Sequence, residues 1–278
     1  MNNRFLEKLF SQFEAKKTLL CVGLDPDITK IDSRCYSKDI EGIRKFLFDV
    51  IDATKDYVIS YKPNMAFFEY FGWEGLKVLK EVIEYIPDDI PVIVDGKRGD
   101  IGNTSKKYAY SLFEYFNADA ITIAPYMGSD SIEPFLEYRD RFVFVLVLTS
   151  NKGSDDFEKK RLDNNRFLYE EVFERVKEYN SIYKNTGAVI GATKPDQLLS
   201  LREEGKDIIF LVPGVGAQGG DLEKSVLSTN LENKGLSIIN SSRGILYPQA
   251  EGGDLLLEIK NRAKSLSEKI RNILKKGE

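Results

Sequence analysis

The sequence predicts an α/β fold, a single (β/α)₈ TIM barrel spanning residues 1–278, and three observations carry that prediction. Eight short apolar runs rich in β-branched residues recur along the chain, amphipathic stretches of helical period separate most of them, and polar residues close the runs. The runs are continuous instead of alternating, as parallel strands buried on both faces require. A doubly wound sheet usually has fewer strands and often a Gly-rich first turn; neither G-x-G-x-x-G after the first run nor a Walker A sequence occurs.

Residues 1–17 set Phe5, Leu6, Leu9, Phe10 and Phe13 at helical spacing among Arg4, Glu7, Lys8 and Glu14, which reads as an amphipathic helix packed on the barrel, not as a targeting segment. The strands follow in order. Residues 18–24 run into Asp25, 57–61 into Lys62, 91–94 into Asp95 and Lys97, and 120–124 into Tyr126. Residues 142–148 run into Thr149 and Ser150, 187–191 into Thr193, 208–212 toward Pro213 and Gln218, and 235–240 into Ser242 and Arg243. Between the third and fourth, Tyr108, Ala109, Leu112, Phe113 and Phe116 form an apolar helical stripe. The longest interval, 150–186, opens with a polar segment at 151–156 that is a candidate lid and continues into a long charged helix. Residues 259–276 read as a terminal helix with an apolar stripe and a solvated Lys-rich face. No linker, low-complexity tract or internal repeat marks a second domain.

Composition excludes several function classes. Forty basic against 44 acidic side chains leave a net charge of −4, so no overall basic field attracts nucleic acid or anionic lipid. The longest apolar run, Phe142–Leu148, is far shorter than the roughly 20 residues of a membrane helix. Cys21 and Cys35 are too few for a disulfide framework or a Cys-based zinc site, so the cytoplasm is the expected location. The chain has no histidine, which removes Ser-His-Asp and Cys-His triads, histidine metal ligands and histidine bases together. Proton chemistry falls to Asp, Glu, Lys, Tyr or Cys.

In a barrel of this kind the groups that act on substrate stand at the C-terminal ends of the strands. The sharpest feature there is Val-Ile-Val-Asp95-Gly-Lys97-Arg-Gly-Asp100, where period-two geometry points Asp95 and Lys97 into the same mouth. A merely structural ion pair is the bland alternative. With Lys62 added, Lys62, Asp95, Lys97 and Asp100 form an alternating network in which each carboxylate keeps a neighbouring ammonium protonated, and a lysine so held is a proton donor. Beyond the seventh strand lies Pro213-Gly-Val-Gly-Ala-Gln218-Gly-Gly-Asp, and beyond the eighth Asn240-Ser-Ser242-Arg243-Gly. Loops seven and eight are the frequent phosphate site of the fold, so these glycines and Arg243 point to a small phosphate ester. Arg98-Gly99-Asp100 as an adhesion motif and Phe67, Phe68, Tyr70 and Phe71 as a base-stacking platform are discounted, the latter as core packing.

Five motifs in order, Gly-Leu-Asp25, Tyr-Lys62-Pro-Asn64, Asp95-x-Lys97-x-x-Asp100, the Pro213 to Asp221 run and Ser-Ser242-Arg243-Gly-Ile, resemble the orotidine 5'-phosphate decarboxylase family in its longer bacterial form. The resemblance spans about residues 20–247. It implies decarboxylation of orotidine 5'-phosphate to UMP and CO₂ in de novo pyrimidine biosynthesis, without metal or organic cofactor. In that scheme Lys97 protonates C6 of a carbanion-like intermediate and Asp95 lies against the substrate carboxylate. Lys62 and Asp25 bind the ribose hydroxyls, Ser150 and Pro213 contact the pyrimidine, and Gln218 with Arg243 holds the phosphate, with Asn64 and Ser242 also in the substrate site. Asp100 and Thr104 reach into the partner's site, which implies a homodimer. One departure is visible: the longer form carries a proline in the loop after strand five, where this chain reads Thr149-Ser150-Asn151-Lys152-Gly153-Ser154.

Two rival readings follow. A magnesium-dependent hexulose-phosphate synthase or keto-gulonate-phosphate decarboxylase shares the Asp-x-Lys-x-x-Asp strand, but such enzymes use histidine in proton transfer, and this chain has none. A non-catalytic barrel that binds a nucleotide phosphate is expected to lack one of the four charged residues, and all four are present.

Overall fold

The computed structural model describes residues 3–215, 219–248 and 254–277. Its parallel strands are β1 Leu20–Leu24, β2 Ser60–Pro63, β3 Ile93–Arg98, β4 Ala120–Ile123, β5 Phe142–Leu148, β6 Thr186–Ile190, β7 Phe210–Pro213 and β8 Ser237–Ser241. They lie in the order β2-β1-β8-β7-β6-β5-β4-β3. The two end strands meet through parallel bridges from Tyr61 to Val92 and from Asn64 to Asp95, and the Tyr61 N–H donates to the Pro91 carbonyl at 3.1 Å, so the sheet closes into a barrel. The helices are α1 Arg4–Lys16, α2 Ile40–Thr54, α3 Met65–Glu69, α4 Gly72–Tyr85, α5 Gly102–Tyr110 and α6 Ser129–Leu136. They continue with α7 Ser154–Phe157, α8 Leu168–Tyr183, α9 Pro195–Glu204, α10 Leu222–Leu227, α11 Arg243–Leu246 and α12 Leu255–Gly277.

Local chemistry sets several of these boundaries. Helix starts use short acceptor side chains: Asn3 accepts from the Leu6 N–H, Asp39 from Gly42 and Asp221 from Lys224, each satisfying an amide that the first turn leaves unpaired. The strands are buried along nearly their whole length, and their Val, Ile, Leu and Phe side chains form one core with the inner faces of the helices. The seven-residue β5 shows the packing: Phe142 and Phe144 lie against Phe5 of α1 with ring centroids 4.8 and 5.7 Å away.

Helix α1 closes the end of the barrel where strands begin. Arg4 pairs with Asp119, the residue before β4, at 2.6 Å, and Asn3 donates to the carbonyl of Arg141, the residue before β5, at 2.8 Å. Farther along, Gln12 donates to Asp89 ahead of β3 and Lys16 to the Val58 carbonyl ahead of β2, each at 2.8 Å. With that end closed, the opposite end is left as the mouth.

Three expectations shift. The second strand begins at Ser60, not Tyr57, because residues Lys55–Tyr57 continue α2 as a 3₁₀ turn. The third runs on to Arg98, which puts Asp95 and Lys97 inside it instead of beyond it. In the stripe after β3, Ala109, Leu112, Phe113 and Phe116 are buried, but Tyr108 is outward, with the Arg98 guanidinium 5.3 Å from its ring. A π-helical turn over Ser111–Tyr115 re-phases that helix, so a uniform 3.6-residue period does not describe it.

Candidate active site

The site is assembled from adjacent strand ends. Register pairs Gly23 of β1 with Lys62 of β2, and the closing bridge pairs Asn64 with Asp95. Gly23 serves a close approach: a Cβ at that position would stand 1.9 Å from the Ser242 hydroxyl oxygen, so only glycine lets the loop after β8 lie over β1.

At the floor of the mouth, Asp95 holds two ammonium groups. Its Oδ2 is 2.8 Å from Lys62 Nζ and its Oδ1 is 2.6 Å from Lys97 Nζ. The Lys62 and Asp95 side chains are 5% and 9% exposed, whereas that of Lys97 is 48% exposed, so the pair lies deep in the floor and the second lysine faces the opening. Burial alone would raise the Asp95 pKa, but the charges of Lys62 and Lys97 overcome it and hold the carboxyl far below the usual carboxylate range. Burial likewise pulls Lys62 down, and the charges of Asp95 and Asp25 overcome that and raise it. Both groups stay ionised across the neutral range.

The expected two-residue alternation is present in a distorted form. The β3–β4 register slips between Val94 and Arg98, and Lys97 sits at φ 43°, in the left-handed region that non-glycine residues seldom occupy. Such a conformation costs on the order of 1–3 kcal/mol and persists only where surroundings impose it. The Lys97 N–H donates to Thr122 Oγ1 at 3.1 Å, and that hydroxyl donates to Asp95 Oδ1 at 2.8 Å.

A cavity of about 390 Å³ opens above the charges. Of the positions the sequence singles out, Asp25, Lys62, Asn64, Asp95, Lys97, Ser150, Pro213, Ser242 and Arg243 line it. Asp25 Oδ1 is buried with no hydrogen-bond partner among the described residues, an acceptor left for something that enters. Asp100 and Thr104 do not line the cavity of the single chain: Asp100 Oδ1 accepts from the Ile101 N–H at 2.8 Å, and Thr104 is exposed near the start of α5. Gln218 lies outside the described residues. Tyr126 is 84% exposed and away from the cavity, and Thr193 serves it indirectly by donating to the Ser150 carbonyl at 3.0 Å.

Sequence reasoning missed Thr122; Asn240 and Asn151, which it placed in loop motifs without a role of their own, also line the cavity. The signal for Thr122 was present: it is the only polar residue in Ala120-Ile-Thr-Ile-Ala124. The polar 151–156 segment folds back through Glu158, which accepts from the Thr149 N–H at 2.7 Å and the Thr149 hydroxyl at 2.8 Å.

Fold and site together define a (β/α)₈ barrel that places a buried ion pair and a second, more exposed lysine at the C-terminal mouth of its strands. The family model described as Orotidine 5'-phosphate decarboxylase / HUMPS family matches residues 18–251, and the chain belongs to that family. An orotidine 5'-phosphate decarboxylase of Dehalococcoides mccartyi (strain CBDB1) is 44% identical over 250 residues, covering 89% of this chain and 90% of that protein. One from Roseiflexus castenholzii is 41% identical over 271 residues, covering 98% of each. The solved structure of Leishmania donovani OMP decarboxylase superposes with a TM-score of 0.84 at 41% identity, covering 97% of this chain and 98% of that one.

Proposed function

We propose that the chain decarboxylates orotidine 5'-phosphate to UMP and CO₂ as a step of pyrimidine biosynthesis, by charges it holds in place before substrate arrives. The observation that carries this reading is the Asp95 carboxylate clamped between Lys62 and Lys97 at the floor of a cavity whose rim bears Arg243. Family membership and relatives at 44% and 41% identity over most of the chain support the same activity.

In this mechanism the phosphate end is gripped by Arg243 and Gln218, far from the reacting carbon. Binding energy from that remote group stabilises the loaded state in which the floor charges act. Lys62 and Asp25 take the ribose hydroxyls, and Asn64 and Ser242 border them; the unpaired Asp25 oxygen suits a hydroxyl donor. Ser150 and Pro213 contact the pyrimidine. Asp95 lies against the substrate carboxylate. The C6–carboxylate bond breaks with its electron pair left on C6, CO₂ departs, and Lys97 passes a proton to C6. The neutral amine then regains a proton from water. Preorganised ammonium charge favours the developing carbanion without reorganising during the step.

The reading includes a homodimer in the cytoplasm, with Asp100 and Thr104 completing the partner's site. Their absence from the cavity of one chain accords with that arrangement, as does exposed apolar surface at Ile101, 49% exposed, just beside Asp100. Among the described residues no helix is long and apolar enough to cross a membrane.

The test is direct. Chelator-treated protein is incubated with orotidine 5'-phosphate while the orotate ultraviolet band and UMP are followed. Rapid conversion without added metal supports the reading. No conversion by folded protein that still binds UMP overturns it, and ketose phosphates with magnesium become the substrates to screen.

A further inference from the structure

We propose that Thr122 is a positioning residue for the proton donor: its hydroxyl fixes the Asp95 carboxylate and the Lys97 backbone together, and so sets where the Lys97 ammonium stands. This rests on the decarboxylase reading above and extends it to a residue that none of the five motifs contains.

A threonine hydroxyl has one proton to give and can accept in return. Ionised Asp95 can only accept, and the Lys97 amide can only donate, so the direction of both bonds is fixed: Thr122 donates to Asp95 Oδ1 and accepts from the Lys97 N–H. Thr122 is 1% exposed, so both bonds are shielded from bulk solvent. Asp95 Oδ1 also receives Lys97 Nζ at 2.6 Å, while Oδ2 is taken by Lys62. A closed ring results, running from the Lys97 amide through Thr122 and Asp95 to the Lys97 ammonium and back along that residue's own side chain.

The ring answers a specific mechanical need. Lys97 sits on a bulge at φ 43° with a half-exposed, four-carbon side chain, the kind of group that otherwise samples many rotamers. Anchored at both ends, it presents one arrangement to substrate. Removing the hydroxyl takes from Asp95 the neutral donor that fixes its rotation, leaving it to the two mobile ammonium groups, and leaves the Lys97 amide without its acceptor.

The experiment compares wild type, Thr122→Val, Thr122→Ala, Thr122→Ser, Lys97→Ala and the double variant Thr122→Val/Lys97→Ala, using the full chain with orotidine 5'-phosphate. Thr122→Val, or Thr122→Ala should the valine variant not fold, is expected to lower kcat about 10- to 100-fold. KM and the UMP dissociation constant should stay within about threefold, and Thr122→Ser, which keeps the hydroxyl, within about threefold of wild-type kcat. In the Lys97→Ala background, Thr122→Val should cause no further loss, because a residue acting through Lys97 has nothing left to act on. Three results overturn the inference: unchanged kcat without the hydroxyl, UMP affinity falling in parallel with kcat, or a full additional loss in the double variant. An inactive wild type overturns the decarboxylase reading and this inference with it, whereas an active wild type with an equally active Thr122→Val overturns this inference alone.

Discussion

At the scale of single residues the chemistry reduces to a few charges kept ionised by one another. Lys97→Ala is expected to lower kcat by about 10²- to 10⁴-fold, the usual worth of a positioned proton donor, as read by single-turnover formation of UMP. Lys62→Met should act differently, because it leaves Asp25 and Asp95 without their shared cation deep in the floor. Breaking a buried pair on one side typically costs about 3–5 kcal/mol, so thermal and urea unfolding should move together with activity. The pH profile follows from the same charges. Asp95 is depressed in the fold, so its contribution is full above the unfolded carboxyl value of about 3.9 and is lost as pH falls below it. Lys62 is raised, so its contribution is full below the unfolded lysine value of about 10.4 and is lost as pH rises through the folded one. With no histidine in the chain, kcat/KM should be flat from about pH 5 to 9 apart from an inflection near the substrate phosphate's second pKa of about 6. A tag-free enzyme whose kcat/KM showed a further inflection between pH 6 and 8 would contradict this account.

At the scale of elements, the strand ends were legible because buried parallel strands write themselves as unbroken apolar runs and their polar successors stand out. Asp25, Lys62, Asp95, Ser150 and Arg243 could be placed at one mouth on that basis, and they line one cavity. Thr122 escaped because it lies within a strand, where a lone threonine reads as an ordinary β-former. The bulge at Lys97 also escaped: alternation along a strand fixes a side, not a backbone slip imposed by the neighbouring strand. The role of α1 as the floor of the barrel is testable at this scale. Phe5→Ala removes a fully buried ring stacked on Phe142 and edge-on to Phe144, and is expected to lower unfolding free energy by about 3–5 kcal/mol. Urea denaturation reads it, and kcat of the remaining folded protein should stay near wild type, because the contact is at the opposite end from the mouth.

At the scale of the whole molecule, closure of the barrel brings residues from Asp25 to Arg243 into one cavity although more than two hundred positions separate them in the chain. The proposed dimer predicts complementation. If Asp100 serves the partner's site, Lys97→Ala and Asp100→Ala proteins each keep only a trace of activity alone. Mixed and re-annealed, they should regain about one quarter of wild-type activity, from one intact site in the half of the dimers that are hybrids. No recovery on mixing, with subunit exchange verified by mass, would place Asp100 in its own chain's function.

The sequence by itself determined the fold class, the count and order of strands, and that Lys62, Asp95 and Lys97 stand at one mouth, because burial on both faces forces an apolar code and the charges interrupt it at fixed points; Asp100, expected in the same network, does not join it within one chain. It also determined what chemistry is unavailable, since a chain without histidine has few other groups that titrate near neutrality. Only the tertiary structure decided how those charges act. That Lys62 and Asp95 lie deep in the floor while Lys97 faces the opening, that Asp25 keeps an oxygen without a partner among the described residues, and that Thr122 links the Lys97 backbone to Asp95 all depend on contacts between strands distant in sequence. Such contacts are set by register and closure of the whole barrel, which no local run of residues encodes.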